Sequence, residues 1–530
     1  MDVSTRQVWV RPNVVCEPLI NRWYAWPYLI PPATASLYIA NHHLQVMQRF
    51  VTAPQVHVEA LKKPEMVGGP FINYGVSEVG SIRSLIERTR KEQFHLLELA
   101  DALKQLTELL TSEATGASLE PLYPKVPEPL RGMVELLYDL QHRAYFRIIE
   151  PLVYKSKLYQ DSNQSFALSI RNDDARPFAL STPRIDEPGV VFVEKPFASD
   201  AVDVLSRARR EPVAFGRLQE ALGLSAEELQ PFVSEDGPPA RHEPAASGPR
   251  VRYFGHACLL VESDGTSVLF DPLLGYKYAG ASPRYGFDDL PDQIDYAVIT
   301  HSHQDHALFE TLLQLRHRIK TIVVPRNMPG NLADPSLKLI LETIGFKSVR
   351  YIDELETIEI PGGSITALPF LGEHGDLDVL TKAAHLLRLG GKTLLCAADS
   401  NNIEPRLYER LRDLVGPLDA LFLGMECQGA PLTWLYGPLL TRPILRKNDQ
   451  TRRLDGSDCD RAMNIVEQLA PKAAYVYAMG AEPWLNFISS IHYTAESKPI
   501  VESDKFVEAC RKRGMASERL FGCKEIPLND

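Results

Sequence analysis

The chain has 530 residues, 45% hydrophobic and 24% charged, with a formal net charge of −11. That length exceeds one ordinary core, so two or three domains are expected, and the acidic balance argues against a nucleic-acid partner, which would favour a basic face. No apolar run approaches the roughly 20 residues of a membrane span, the N-terminus MDVSTRQVWVRPNVVCEPL has no basic-then-apolar signal peptide, and seven scattered cysteines without a CxxC pair fit reduced thiols in a cytoplasmic protein.

The first stretch, NRWYAWPYLIPPATASLYIANHHLQVMQRF, is rich in aromatic residues and reads as core or interface. Its adjacent His42 and His43 point different ways on any regular element, so a shared metal is not expected there. SEVGSIRSLIERTRKEQFHLLELADALKQLTELL has apolar residues three and four apart, among them Phe94, Leu97, Ala100, Leu103, Leu106 and Leu110, which predicts helix. EPLRGMVELLYDLQHRAYFRIIEPLVY is read as more of the same from Glu128. Ser225 and Glu228 have the spacing of a capping box. Pro, Gly, Ala and charge then dominate SEDGPPARHEPAASGPR, and hydrophobic periodicity vanishes. The resulting division is a largely helical N-terminal domain over 1–235, a linker over 236–249 and a second domain over 250–530.

Past the linker the pattern changes. VRYFGHACLLVE, TSVLFD, YAVIT, TIVVP, SITALPF, KTLLCAAD, LDALFLG and AAYVYA are short, apolar and often β-branched, as strands are. Helix-like stretches such as DHALFETLLQLRHR and NIEPRLYERLRDLV separate several of them, which suggests sheets packed between helices, an α+β arrangement.

One strand end carries the chemistry. YAVIT runs into HSHQDH, putting His301, His303, Asp305 and His306 on a turn before a helix. A strand-end turn can fan such side chains into one small volume, with His301 and His303 on one metal and Asp305 with His306 on a second. Imidazole plus carboxylate suits zinc or iron. Later strand ends offer Glu373 and His374 in LPFLGEHGDLD and Asp399 in LLCAADSNN, with Asp399 placed to bridge; FISSIHYT offers His492. A carboxylate at Glu373 would favour iron over zinc, whereas His374 in that place would suit a zinc hydrolase. The segment APLTWLYGPLLTRPILRKNDQTRRLDG, with Trp434 and Tyr436, reads as an aromatic wall, a basic rim or a plain surface loop. Trp484 and Phe487 are candidates to line a pocket.

HxHxDH, a His or Glu about seventy residues on, a strand-terminal Asp and a last His together resemble the metallo-β-lactamase superfamily. GHACLLVES and SVLFDP resemble its first strands, and Asp271 matches the structural acid beneath the metals. The resemblance implies an αββα sandwich from about Arg250 onward. That sandwich hosts both dinuclear zinc hydrolases and diiron redox enzymes, so a zinc hydrolase stands as the alternative reading. The whole chain, with its long aromatic-rich first half, further resembles the diiron β-hydroxylases of nonribosomal peptide pathways, nearest those acting on p-aminophenylalanine in chloramphenicol-type antibiotic biosynthesis. The resemblance implies an O2-dependent monooxygenase acting on an aminoacyl thioester held on the phosphopantetheine arm of a synthetase carrier domain. It implies iron at His301, His303 and Glu373, and at Asp305 and His306, with Asp399 bridging, His492 completing the second iron and His374 standing behind. No GxGxxG fingerprint or Cys-rich iron–sulfur run is present, so an external electron donor such as a reductase is expected. The first half is expected to serve dimerisation first, with docking of the synthetase or a lid over the site as other roles.

Overall fold

The computed structural model describes residues 3–237 and 248–528. Most of the linker expected over 236–249 therefore lies outside the described residues.

From Arg250 onward two seven-stranded sheets face each other. The first runs in the spatial order Val349–Ile352, Ile319–Pro325, Ile294–Val298, Thr266–Phe270, Leu259–Ser263, Arg250–Tyr253, Lys524–Ile526. The second runs Thr357–Ile360, Gly363–Leu368, Ala384–Leu389, Lys392–Cys396, Ala420–Gly424, Ala473–Tyr477, Ala516–Arg519. Each is antiparallel on one side and parallel on the other. The inner faces meet through buried side chains such as Val261, Val268 and Val298 from one sheet and Ile365, Leu387 and Phe422 from the other. The helices Arg406–Val415, Cys459–Leu469 and Lys498–Lys512 cover the outer face of the second sheet with Tyr408, Leu411, Ile465 and Phe506. This is the expected αββα sandwich.

The strands read from the sequence all form. Those not read in advance, including Ala384–Leu389 and the edge strands Val349–Ile352 and Lys524–Ile526, are short or have fewer β-branched residues.

The N-terminal part is more mixed than its periodicity suggests. The helices Val79–Glu92 and Phe94–Glu113 form as expected, as does the Ser225 capping box on Ala226–Leu229. The stretch from Glu128, read as helical, instead holds a β-hairpin, Val134–Tyr138 paired with Ala144–Ile148. Asp139 explains the difference: its Oδ1 accepts the Gln141 and Arg143 backbone N–H groups at 2.8 Å each, closing a turn that breaks the helical register. A four-stranded sheet is built around Val14–Ile20 and Gln164–Ile170.

The two parts share their interior. One continuous apolar cluster joins Trp26, Tyr28 and Leu37 to Leu312, Ile340 and Tyr436. Beside it lies a buried ionic knot. Arg176 Nη2 donates to Glu17 Oε1 and Glu310 Oε2 at 2.6 Å each, Arg184 Nε donates to Glu17 Oε2 at 2.7 Å, and the Tyr24 hydroxyl donates to Glu310 Oε2 at 2.8 Å. Glu310 lies on the helix Phe309–Leu315, directly behind the histidine-rich turn.

Candidate metal centre

Parallel and twice-reversed strands put their C-terminal ends on one edge of the sandwich, and the loops there converge. Asp271 follows Thr266–Phe270, and the 300–306 turn follows its parallel neighbour Ile294–Val298. The loop with Glu373 follows Gly363–Leu368, Asp399 follows Lys392–Cys396, and Glu426 follows Ala420–Gly424. Turning so sharply forces unusual backbone. His256, Asp271, Glu373 and Ala398 all have positive φ, at 50°, 38°, 65° and 44°. Such non-glycine strain concentrates where surrounding structure fixes a functional geometry. Glu373 manages it between Gly372 (φ 78°) and Gly375 (φ 56°), which adopt that region at little cost.

The structure brings together six of the seven residues expected from the sequence. Ligand-type atoms of His301, His303 and Glu373 lie within 4.8 Å of one another; so do those of His301, His306 and Asp399, and those of His256, Asp305 and His306. Glu373 rather than His374 enters these groups. His374 is buried with its ring stacked on His303, centroids 4.6 Å apart. His492 is in none of the groups, because it lies exposed beyond the helix Asn486–Ser489. The histidine that stands with Asp305 and His306 is His256, from the turn between the first two strands of the sandwich. Its signal was in the sequence, in the FGHAC turn before a buried strand, but nothing in its spacing tied it to the distant HxHxDH run.

The hydrogen bonds orient the rings. The Thr300 hydroxyl donates to Asp271 Oδ2 at 2.6 Å, so at 3.1 Å it accepts from His301 Nδ1, leaving the Nε2 lone pair facing inward. His303 turns Nε2 to the Tyr436 hydroxyl at 2.9 Å and Nδ1 toward Glu373 Oε1 at 3.2 Å. His306 Nδ1 donates to Asp271 Oδ2 at 2.8 Å, leaving Nε2 3.0 Å from Asp399 Oδ2. This is the arrangement of metal-binding imidazoles, each held from behind by an oxygen partner. His256 is reversed. The Gly480 backbone N–H donates to its Nδ1 at 3.1 Å, so the ring proton of the neutral imidazole sits on Nε2, 3.3 Å from Asp305 Oδ2.

The electrostatics call for a cation. Burial, and after it the neighbouring Asp399 and Asp305, push the Glu373 carboxyl well above its ordinary range. Burial first, then the other histidines, hold His301 well below its usual value, and so ready to offer a lone pair. Burial opposes charge on Asp305 as well, yet the His256 hydrogen bond holds its carboxyl below the usual range. Asp399 Oδ1 is buried without a hydrogen-bond partner, and a Cβ on Gly424 would come within 2.7 Å of it. An orphaned carboxylate oxygen beside a glycine, among inward-facing imidazole lone pairs, fits a pair of divalent ions.

Above the cluster opens a cavity of about 410 Å³. His303, Asp305, Glu373 and Asp399 form its floor, Trp434, Leu435, Leu454 and Met479 its apolar walls, and Glu426 a half-buried acid on one side. Burial raises the Glu426 carboxyl to about 7, and the Tyr493 hydroxyl donates to it. Trp484 and Phe487, expected at the pocket, are instead packed in the core with Tyr24 and Leu274; the residues after them, Ser489 to Ile491, line the cavity. Tyr436 lies behind His303, against Tyr28 of the N-terminal part, ring centroids 5.8 Å apart. Trp434 donates its indole N–H to Gly68 O at 2.9 Å. His42 and His43 serve the core: His43 stacks on Trp23 and His42 Nε2 meets Leu180 O at 2.9 Å.

Comparison with known proteins decides between the two superfamily chemistries. Residues 9–235 match the diiron non-heme β-hydroxylase N-terminal domain, and residues 250–394 match the β-lactamase superfamily domain. The 4-amino-L-phenylalanyl-[CmlP-peptidyl-carrier-protein] 3-hydroxylase of Streptomyces venezuelae is 38% identical over 521 residues, 96% of this chain and 98% of that protein. The chain belongs to the diiron non-heme β-hydroxylase family. The crystal structure of CmlA, a diiron β-hydroxylase from Streptomyces venezuelae, superposes on this hydroxylase with a TM-score of 0.92 at 37% identity, covering 99% of this chain and 100% of that one. A metal-dependent hydrolase of Opitutus terrae, by contrast, is 32% identical over 149 residues, 27% of this chain and 52% of its own length. The hydrolase likeness covers about a quarter of the chain, whereas the hydroxylase likeness covers nearly all of it, the N-terminal part included. Among the described residues no helix is long and apolar enough to cross a membrane.

Proposed function

We propose that this β-hydroxylase acts on an arylalanine, 4-aminophenylalanine in the first instance, presented as a thioester on the phosphopantetheine arm of a peptidyl-carrier domain. The observation that carries the reading is Glu373: a carboxylate, not an imidazole, joins His301 and His303 beneath a cavity with an aromatic wall. The similarity of nearly the whole chain to a hydroxylase of that substrate supports it.

In this reading His301, His303 and Glu373 would hold one iron, Asp305 and His306 would hold the other, and Asp399 would be shared between them. His256 is not a ligand, since its Nδ1 accepts a backbone N–H and its Nε2 carries the proton; it donates to Asp305 and fixes that carboxylate. When bound, the diiron pair supplies the O2 activation and Cβ–H cleavage of a β-hydroxylase. The chain's own residues do the rest. Trp434 offers the aryl ring a flat apolar wall, Glu426 is placed to hold an ammonium group of the substrate, and the buried floor keeps bulk water from the reacting carbon. The remaining parts of the reading are a domain division at 235 and 250, a homodimer made through the N-terminal domain, and an external two-electron donor.

The test is metal analysis with an optical spectrum, followed by single-turnover assays of the chemically reduced enzyme. Two irons and rapid β-hydroxylation of the carrier-loaded thioester, with free 4-aminophenylalanine slow, are expected. Two zincs in a colourless protein, or free amino acid reacting as fast as loaded, would overturn the reading. Glu373→Ala should lose iron and activity together while His374→Ala keeps two irons; the reverse pattern would exchange their roles.

A further inference from the structure

The segment TRPILRKNDQTRR reaches the cavity lining at Arg453 and contributes to none of the metal-capable groups among the described residues. Its charge is anomalous: Arg442, Arg446, Lys447, Arg452 and Arg453 stand against the single acid Asp449 in a chain of net charge −11. Asp449 accepts from the Thr433 backbone N–H at 3.0 Å and its hydroxyl at 2.7 Å, and among the described residues it forms no ion pair with the cations beside it.

The segment is also pinned to the site from both sides. Leu432 N donates to Arg452 O at 2.8 Å and Leu454 N to Ala430 O at 2.9 Å, which ties it to the strand-end loop that carries Trp434. Arg452 Nε donates to Gly375 O at 2.8 Å, which ties it to the loop of Glu373. Its backbone is therefore fixed at the mouth while its outer cations are left over. Arg446 and Lys447 are exposed, and neither side chain has an ion pair or hydrogen bond among the described residues. Leu445, beside them, is 63% exposed, an apolar contact point next to two free charges. Arg453 lines the cavity itself; its Nη2 donates to Gly429 O and it pairs with Asp455 at 3.8 Å, while its Nε is buried without a hydrogen-bond partner.

We infer that residues 442–453 form the docking lip for the carrier: Arg446 and Lys447 meet an acidic face of the carrier domain, and Arg453 receives the phosphodiester of its phosphopantetheine arm where the arm enters the cavity. This rests on the substrate being carrier-bound, as proposed above. The chemistry is that of a phosphodiester with an acidic protein behind it. A guanidinium inside the mouth matches the phosphate, and exposed cations outside it match the acidic surface. A free amino acid would need neither.

The experiment measures binding of the CmlP peptidyl-carrier domain, loaded with 4-amino-L-phenylalanine, to the iron-loaded enzyme across a salt series. For the wild type, affinity should fall as salt rises. Arg446→Glu with Lys447→Glu should weaken binding at low salt by about tenfold or more and flatten the salt dependence. The neutral pair Arg446→Gln with Lys447→Gln should lose an intermediate amount, and Arg453→Gln should raise KM for the loaded carrier more than it lowers kcat. Charge reversal on the far helix layer, Arg410→Glu with Lys512→Glu, should leave carrier affinity at the wild-type value. Wild-type affinity and salt dependence in the Arg446/Lys447 variants would overturn the docking lip while leaving the carrier-bound substrate intact. A wild-type enzyme that does not bind the loaded carrier at any salt concentration would overturn both.

Discussion

The N-terminal part and the sandwich contribute to one cavity by different physical means. Among the described residues the sandwich provides every side chain of the metal-capable groups, from strand ends whose backbone turns through positive φ at His256, Asp271 and Glu373. The N-terminal part adds none to those groups and lines the cavity with Glu65, Val67 and Gly68. It supplies the layer behind: Tyr28 against Tyr436, which faces His303, and Arg176 against Glu310, behind the 301–306 turn. Ligands can be set by short loops because each needs one atom in place. Holding those loops against strain needs a packed mass, and a sandwich edge does not provide it alone. Each of the following substitutions acts on one side of that division.

The largest effect should come from the sandwich. Asp399→Asn keeps the shape but removes one anionic oxygen from the carboxylate that groups with both His301 and His306. Metal analysis should find less than one iron per chain, and turnover should fall by at least about a hundredfold. Retention of two irons with full turnover would mean that the bridge is another residue.

Next should come the ionic knot that joins the two parts. Arg176→Ala leaves Glu17 and Glu310 buried without a shared cation, which should cost about 3–5 kcal/mol by denaturant unfolding. The knot also predicts a pH dependence. Burial alone would raise the Glu17 carboxyl, but Arg184 and Arg176 more than offset it and hold it below the ordinary carboxylate range. Its folded value is thus depressed. The stability it contributes is full above the unfolded pKa of about 4.3 and is lost as pH falls through the lower folded value. The stability gap between wild type and Glu17→Gln should therefore be constant from neutral pH down to about 5 and shrink in acid. A gap that widens in acid would contradict the assignment of charge.

The same division explains what could be read in the sequence. His301, His303, Asp305 and His306 announce themselves because a strand, a turn and four ligand-type residues are contiguous. Glu373 and Asp399 are legible as acids at strand ends. The layer behind is not, because its pairs are far apart in the chain: Tyr28 with Tyr436, Glu17 with Arg176, Arg176 with Glu310. His492 was favoured by its place late in the chain, where the superfamily has a last histidine, and the fold leaves it in solvent. His256 was passed over because its partners come some fifty residues later. The 134–148 hairpin was misread because Val134, Leu136 and Phe146 suit either periodicity, and only the Asp139 turn separates them.

A smaller effect is expected where the two parts meet at His303. Tyr436→Phe removes the hydroxyl 2.9 Å from His303 Nε2 and leaves the ring in place. Partners of this kind behind a metal-binding histidine are worth about 10–100-fold in metal affinity or activity. Iron titration of the apo protein should show a loss in that range, with folding stability changed little by comparison.

The smallest effect belongs to Tyr28, and it tests whether the N-terminal part acts by packing or through a hydrogen-bond relay. Tyr28 is fully buried, packs edge-on against Tyr436, donates its hydroxyl to Ala333 O at 2.6 Å, and offers the same oxygen to the Tyr436 hydroxyl. Tyr28→Phe keeps the ring that supports Tyr436 and leaves one buried carbonyl without that donor, a loss of about 1 kcal/mol in stability. Iron affinity should fall less than in Tyr436→Phe, because the ring that backs Tyr436 stays and only a partner of its hydroxyl is lost. Tyr28→Ala removes the ring as well, and the cavity should cost about 3–5 kcal/mol. It should also weaken iron binding, since Tyr436 would be free to turn away from His303. If Tyr28→Phe lowered iron affinity as much as Tyr436→Phe does, support would be passing through the hydroxyls, and packing would not be what the N-terminal part contributes to the site.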